Sequence, residues 1–496
     1  MTRIIFWSSG PDLFYFLPMF FEKTLDFKLY CIFDIPDKPK NFFETQSFVK
    51  FEKVWFYHDH IQKKKFNDLE YLQSFEEKYG IELWKLAINE RLFYRFNEFY
   101  KFSSEEIISI LSQECKLFET ILDEAKPEFL IMGDPALHHS RIFYEMCKKK
   151  NIKIMILQSS RIGKKCLILD DPQEIPKIKY DENYDENYDE DLTFENIRQI
   201  FNSNSYKKIQ KIFYKKVMSA SILILIKTLL QYLGSNSTVT DTHYTYYGRK
   251  KSKVIYNKLK IELKQIFRKK YIDNNLSQDI SSKKFVYFPL HIEMEQYPLI
   301  AAPFFTNHIE VIRHIAKSLP VGYELYVKEH PAQVLRGWRQ ISDYKEILKI
   351  PNVTLFHPEA SSDNLIKNSS LVVTIAGTTG FEAAFYGKPS IVFSNTFYDK
   401  LKSVYRVRDL QELPRIIKNV INEQYDPHDL YVFLKQLDEI SFDFNYSDFY
   451  KDLNRDFYLH GNLTDVEITM EQVEKFKKDH KFELEKLAEQ YIMRIK

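Results

Sequence analysis

Cysteine is scarce. The chain has four in 496 residues, Cys31, Cys115, Cys147 and Cys166, and no CxxC pair. That excludes a disulfide framework and a cysteine zinc site, and it fits free thiols of a reducing compartment. Glycine (12) and proline (18) are also few, which excludes collagen-like and linker-type chains. Charge of one sign is missing too. Lys plus Arg number 71 against 69 Asp plus Glu, a formal net charge of +2, so no bulk positive charge is available and no nucleic-acid partner is expected. No run reaches the about 20 apolar residues that span a bilayer. The opening Met1–Gly10 stretch enters a strand-like run without the features of a signal peptide. The expectation is a soluble, multi-domain, cytoplasmic protein.

What is present is a globular balance, 44% hydrophobic and 28% charged, at a length that suits two to three domains. The 41 Phe and 33 Tyr read mainly as compositional bias rather than as a stacking surface. In residues 1–172 the runs Arg3–Trp7, Phe27–Phe33, Val54–Tyr57, Phe129–Met132 and Ile152–Leu157 predict strands. Ser104–Ala125 predicts a helix, capped by Ser103 or Ser104, with Ile108, Leu111, Cys115, Phe118 and Leu122 on one face. Strand, Gly133-Asp134-Pro135 turn, helix and strand make a βαβ unit, and so a parallel sheet.

Residues 173–282 break this rhythm. Three acidic repeats starting at Tyr180, Tyr184 and Tyr188 read as a solvated linker or insertion. Lys207, Lys208, Lys211, Lys215 and Lys216 then precede the apolar run Val217–Leu233, which Gly234 stops. Residues 205–233 read either as an interfacial helix meeting anionic lipid or as a buried connector with a basic face.

Residues 283–423 alternate strand runs, Phe285–Phe288, Glu324–Lys328, Val353–Phe356, Leu371–Ile375 and Ser390–Phe393, with helical patterns. A doubly wound parallel sheet follows. Residues 424–496 form a helical tail ending in an amphipathic helix over Thr469–Ile495, able to brace the first domain. The fold class is α/β, with two Rossmann-like domains facing a cleft, a helical insertion and a C-terminal helix.

Ligands of open α/β sheets bind beyond the carboxyl ends of the strands, and four polar groups fall there. In Lys328-Glu329-His330-Pro331, proline pins the chain as it leaves the sheet, and a partly cationic His330 can donate to a phosphate. In Thr374-Ile-Ala-Gly377-Thr378-Thr379-Gly380-Phe-Glu382, glycines permit close approach, and hydroxyls with the first helical N–H groups suit an anion. The bland reading is a threonine helix cap. Glu382 either bonds ribose hydroxyls or complements the helix dipole. The loop Pro289-Leu-His291-Ile-Glu293-Met-Glu295 offers carboxylates, and Asp134 is either a base for an acceptor hydroxyl or a helix cap. The pairs His58/His60 and His138/His139 invite a metal, but no third ligand is near either in sequence, and no metal is assigned.

Taken in order, Tyr287–Glu293, Tyr326-Val-Lys-Glu-His-Pro331, Pro351-Asn-Val, Thr374–Ala383 and Gly387-Lys-Pro389 resemble the capsule polysaccharide biosynthesis family, whose better-known members are Kdo transferases. About 140 residues of the C-terminal half carry the likeness. Gly133-Asp134-Pro135 and Gln158-Ser-Ser-Arg161 to Asp170-Asp171 carry it more loosely. The resemblance implies a GT-B glycosyltransferase that moves a sugar, of which a CMP-linked acidic sugar is one class, from a nucleotide-sugar to a capsule or surface-glycan acceptor, glycan or glycolipid, at the inner membrane face. Under it Asp134, His330 and Glu295 are catalytic candidates. Lys328, His330, Pro331, Gly377, Thr378, Thr379, Gly380 and Glu382 bind the donor, without a cofactor or metal. Met294-Glu295 replaces the family's usual Pro-Glu pair at that loop. Polyol-phosphate transfer and a non-catalytic scaffold of a glycan-export assembly are the alternatives.

Overall fold

The computed structural model describes all residues except 22–26, 64–66, 175–191, 202–221, 235–237, 282 and 294, with the side chains of 222–226 and 296–298 also left aside. The acidic repeats and the lysines between 207 and 216 therefore lie outside the described residues. The chain forms two compact units. One is Met1–Pro172 with Ser219–Val254 and Ser441–Lys496, and the other is Gln173–Met218 with Ile255–Ile440. This differs from the four pieces read in the sequence: the insertion and the tail are each divided between the two units.

The first unit holds strands β1 (Thr2–Ser8), β2 (Phe27–Phe33), β3 (Lys53–Phe56), β4 (Phe129–Met132), β5 (Lys153–Ser159) and β6 (Lys165–Leu169). The second holds β7 (Lys284–Pro289), β8 (Tyr323–Lys328), β9 (Val353–Phe356), β10 (Leu371–Thr374), β11 (Ser390–Val392) and β12 (Val404–Arg406), and β13 (Phe442–Asp443) returns to the first.

The first sheet runs β13-β6-β5-β4-β1-β2-β3. β3, β2, β1, β4 and β5 are parallel, and β6 and β13 add an antiparallel edge. Period two divides its side chains between two cores. Ile4, Phe6, Cys31, Phe129 and Ile131 enter one; Ile5, Trp7, Ile32, Leu130 and Met132 enter the other. The second face is covered by the helix Ser104–Ala125, held at its start by a capping box between Ser103 and Glu106. The first face is covered by Leu13–Phe21 and by the tail, through Phe449, Phe457, Phe476, Leu484 and Tyr491.

The end of the tail is two helices, Met470–Asp479 and Lys481–Ile495, not the one expected over Thr469–Ile495. His480 leaves helical geometry between them (φ −107°, ψ 14°), and its ring packs on Phe449 and Phe476. Apolar periodicity does not register a one-residue break of this kind.

The second sheet is wholly parallel, in the order β12-β11-β10-β7-β8-β9. Numbered from its own first strand this is 6-5-4-1-2-3, the doubly wound Rossmann order. Val286 and Phe288 face one core and Phe285 and Tyr287 the other. Among the described residues no helix is long and apolar enough to cross a membrane.

Phe476 is 1% exposed and stacks with Phe16, Phe449 and Phe457. Phe476→Ala should lower the stability of the first unit by about 3–5 kcal/mol, because a large ring leaves a cavity that its aromatic neighbours cannot close. Urea denaturation followed by a probe in that unit measures it; an unchanged midpoint would mean the tail does not brace this sheet.

Candidate functional site

The strand order of the second sheet reverses between β7 and β10, and the crevice beyond their carboxyl ends is where such sheets bind ligands. Val372 lies opposite Tyr287, so Thr374 and Pro289 end level. Pro289 is opposite Lys328 of β8. Register alone thus releases three loops side by side, starting at Leu290, Glu329 and Ile375.

His291 is buried at the centre. Its Nδ1 lies 3.3 Å from Glu295 Oε2 and its Nε2 3.2 Å from Thr374 Oγ1, while the Gly377 N–H donates to the same Oγ1 at 3.1 Å. A carboxylate can only accept, so Nδ1 carries the proton and Nε2 accepts from the threonine hydroxyl. The result is a directed chain, Gly377 N–H to Thr374 to His291 to Glu295. Burial raises the Glu295 pKa, but the His291 hydrogen bond and the nearby His291 and His330 rings outweigh it and hold the carboxyl below its usual range. Its side chain stays 38% exposed. Gly377 cannot be larger, since a Cβ would lie 2.8 Å from Thr374 Oγ1 and 2.9 Å from His291 Cε1.

His330, two residues beyond β8, caps the short helix Pro331–Arg336, with proline in its first turn and Nδ1 accepting from Ala332 N–H at 3.1 Å. That bond places the ring proton on Nε2. Burial lowers the His330 pKa to about 4; Glu295 opposes this, while His291, Lys328 and Arg339 add to it. The partly cationic imidazole expected from the sequence is therefore neutral at pH 7, and its Nε2–H remains a donor.

Other expected residues are placed as follows. Lys328 is buried and donates to Ser362 Oγ at 2.7 Å. Thr378 occupies the cap position of the helix Thr379–Ala384, but its hydroxyl makes no cap and donates instead to Glu382 at 3.3 Å. That helix has only six residues, too short for the dipole expected of it. Gly380 is buried against Tyr398. Asp134 is exposed in the turn after β4, and the cap of the following helix is Leu137. His58 and His60 do not share a strand face. They sit in the single turn Tyr57–His60, His58 buried and His60 exposed. A third candidate ligand does stand beside His138 and His139: Glu114, brought there by the helix Ser104–Ala125.

Residues 189–401 match the family model described as capsule polysaccharide biosynthesis protein. That stretch contains the described residues of the crevice, and the motifs that carry the resemblance lie within it. No curated protein matches the chain. Among solved structures, it is similar to KpsC beta Kdo 2,7 transferase of Thermosulfurimonas dismutans, with 14% identity, 64% of this chain and 79% of that one covered, and a TM-score of 0.31. It is also similar to UDP-GlcNAc 2-epimerase of Neisseria meningitidis bound to UDP-GlcNAc, with 12% identity, 88% and 100% coverage, and a TM-score of 0.26.

Residue types at strand ends did not reveal what aims these loops. Glu329 is fully buried. It accepts from Arg339 Nε at 2.9 Å, from the Tyr344 hydroxyl at 2.7 Å and from the His330 N–H at 2.6 Å. Arg339 donates onward to the carbonyl of His291. Gln333 bonds the backbone N–H and carboxylate of Glu293, both at 3.2 Å. Burial acts to lower the Arg339 pKa, but Glu329 and Glu293 hold it raised. Arg339→Met should cost about 3–5 kcal/mol by stranding a buried carboxylate, while Arg339→Met with Glu329→Gln should recover part of that loss. Thermal denaturation of both variants checks this; a single mutant as stable as the parent would refute the tie.

Proposed function

We propose that this crevice binds the phosphate of a nucleotide-activated sugar and that the protein is a metal-independent glycosyltransferase of capsule or surface-glycan synthesis. The observation that carries the reading is the convergence, at the switch point of a Rossmann-ordered sheet, of His291, Glu295, Thr374 and Gly377 on one linked path, with His330 on the neighbouring loop. The family match over residues 189–401 supports it.

In the proposed reaction the bond from the anomeric carbon to the donor phosphate breaks and a bond to an acceptor oxygen forms. The leaving phosphate gathers negative charge, which the His330 Nε2–H and the Thr379 hydroxyl stabilise by donation, with the Thr378 hydroxyl turning from Glu382 to join them. Gly377 leaves room for the phosphate to approach the backbone. Glu295, ionised and partly exposed, accepts a hydroxyl of the sugar or nucleoside, and Glu382 serves the ribose. The acceptor proton passes to a base, the role the sequence reading gave to Asp134, which is exposed at a strand end of the first unit. A CMP-linked acidic sugar is the first donor to test.

His330→Ala should weaken nucleotide binding and cut turnover at least tenfold with folding intact. Because folding lowers the His330 pKa to about 4, the neutral ring is already the resident form above about pH 5, and kcat/KM should show no His330 limb between pH 5.5 and 8. Because the unfolded chain's His330 takes a proton near pH 6.5 and the folded ring only near 4, stability should fall as pH drops from 6.5 toward 4. Calorimetry with CMP, CDP, UDP and GDP, on the parent and the variant, decides the binding. If none binds at millimolar concentration, the scaffold reading replaces this one.

We further propose contact with an anionic membrane. In the helix Ile222–Gly234 the described residues Leu229, Leu230 and Leu233 are exposed rather than core. The helix Lys251–Asn275 packs Ile261, Gln265 and Arg268 against residues 334–338. On its opposite side Tyr256, Leu259, Leu263, Ile266 and Phe267 are each between 60 and 69% exposed. These recur at helical spacing, and Lys260 and Lys264 lie along one border. An apolar stripe edged by lysines suits the headgroup boundary of an acidic bilayer. Flotation with phosphatidylglycerol vesicles should recover the protein, and Leu263→Glu with Phe267→Glu should lower recovery at least tenfold. Equal recovery of the variant would remove the surface from the account.

A further inference from the structure

In the first unit, at the carboxyl ends of β2, β3 and β4, a second polar cluster is closed inside the protein. Glu114, His138 and His139 are buried and offer one ligand atom each, all within 4.8 Å of one another. The Tyr244 hydroxyl stands among them.

The separations are informative. Glu114 Oε1 lies 3.0 Å from His138 Nε2. Tyr244 Oη lies 3.2 Å from Glu114 Oε1, 3.5 Å from His138 Nε2 and 3.3 Å from His139 Nδ1. A tetrahedral ion with bonds of about 2.0–2.1 Å to nitrogen and oxygen requires ligand-to-ligand edges of about 3.3 Å. Four of the six edges of this group fall close to that length.

The far nitrogen of each imidazole is held as it is in metal sites. His138 Nδ1 is bonded to Glu90 Oε2 at 3.0 Å, and His139 Nε2 to Asp34 Oδ2 at 2.9 Å. A carboxylate on one ring nitrogen fixes the tautomer and turns the other nitrogen toward an ion. Glu114 Oε2 is buried with no hydrogen-bond partner among the described residues, whereas Oε1 receives Tyr57, Tyr244 and His138 together.

We propose that Glu114 Oε1, His138 Nε2, His139 Nδ1 and Tyr244 Oη hold one divalent transition-metal ion of the zinc class. The donor set is imidazole and oxygen without thiolate, and no fourth position is open to solvent, the pattern of a structural site. The ion joins the helix Ser104–Ala125, the start of the helix His138–Lys149 and the turn at Tyr244, segments with no other covalent tie. The site is separate from the crevice of the second unit, which takes no metal in the mechanism above.

The test uses the full-length protein. Elemental analysis after purification should find close to one zinc per chain. After chelation, Co2+ should bind with the visible bands of a tetrahedral complex, and one equivalent of Zn2+ should abolish them. Glu114→Gln should lose the bands, and Asp34→Asn, which leaves every ligand in place, should weaken metal affinity about 10–100-fold. Tyr244→Phe should alter the spectrum while keeping a weaker site. Finding no zinc in the purified protein and no Co2+ uptake by the chelated one would overturn the proposal. So would Co2+ uptake with an unchanged spectrum and affinity in all three variants. Nucleotide binding by the second unit does not enter these readouts, so failure here leaves the transferase reading standing.

Discussion

Glu329 has no exposed surface, and a carboxylate in that position must be fully paired or it destabilises the fold. It meets the requirement with Arg339, Tyr344 and the N–H of its own neighbour His330. Because Arg339 also holds the carbonyl of His291, one buried charge sets the exit direction of the loops after both β7 and β8. The two histidines of the crevice sit on these loops. A buried ion pair of this kind is poor evidence for stability, since apolar replacement of both partners is often neutral. Its value here is geometric. It specifies one arrangement of two loops that would otherwise be joined only by strand register.

The same constraint explains why the polar residues collect where they do. In both sheets the central parallel strands are buried on two faces, and the side chains alternate between two apolar cores. No polar group can sit along such a strand without a partner, so chemistry is displaced to the carboxyl ends. The second unit places His291, Thr374, Gly377 and His330 there. The first places Asp34, His58, Asp134 and the His138-His139 pair there. Two unlike clusters arise from one topological rule.

Strand positions were legible where parallel strands are short apolar runs flanked by turn residues, and β2, β4 and the edge strand β9 have the ends read in the sequence. The edge strands β12 and β13 were not. β12 has three residues and β13 two, and Phe442 and Asp443 become a strand only because β6 offers an edge to pair with. The helix Ser104–Ala125 was legible to the residue because its cap, its apolar face and its Lys126-Pro127 end agree. Of the crevice, the His-Pro turn and the glycine-threonine turn were visible as local motifs. His291 and Glu295 stood in a loop noticed only for its carboxylates. Arg339 and Gln333 carry no local signature, since their meaning lies in residues tens of positions away. Glu114 was missed beside His138 for the same reason, 24 residues of chain separating contacts that one helix brings to 3.0 Å.

The protonation state of His330 shows how far structure changes the chemical reading. By composition alone a histidine beside a phosphate is taken as a cation, because charge attracts charge. In the fold, burial penalises the charged ring, Glu295 opposes this, and the neighbouring His291, Lys328 and Arg339 add to the penalty, so the pKa falls to about 4 and the ring stays neutral, with Ala332 N–H on its Nδ1. A neutral donor has a catalytic advantage over a fixed cation. It contributes little to holding the ground-state phosphate, and its hydrogen bond strengthens as charge develops on the leaving oxygen, so the stabilisation is weighted toward the transition state.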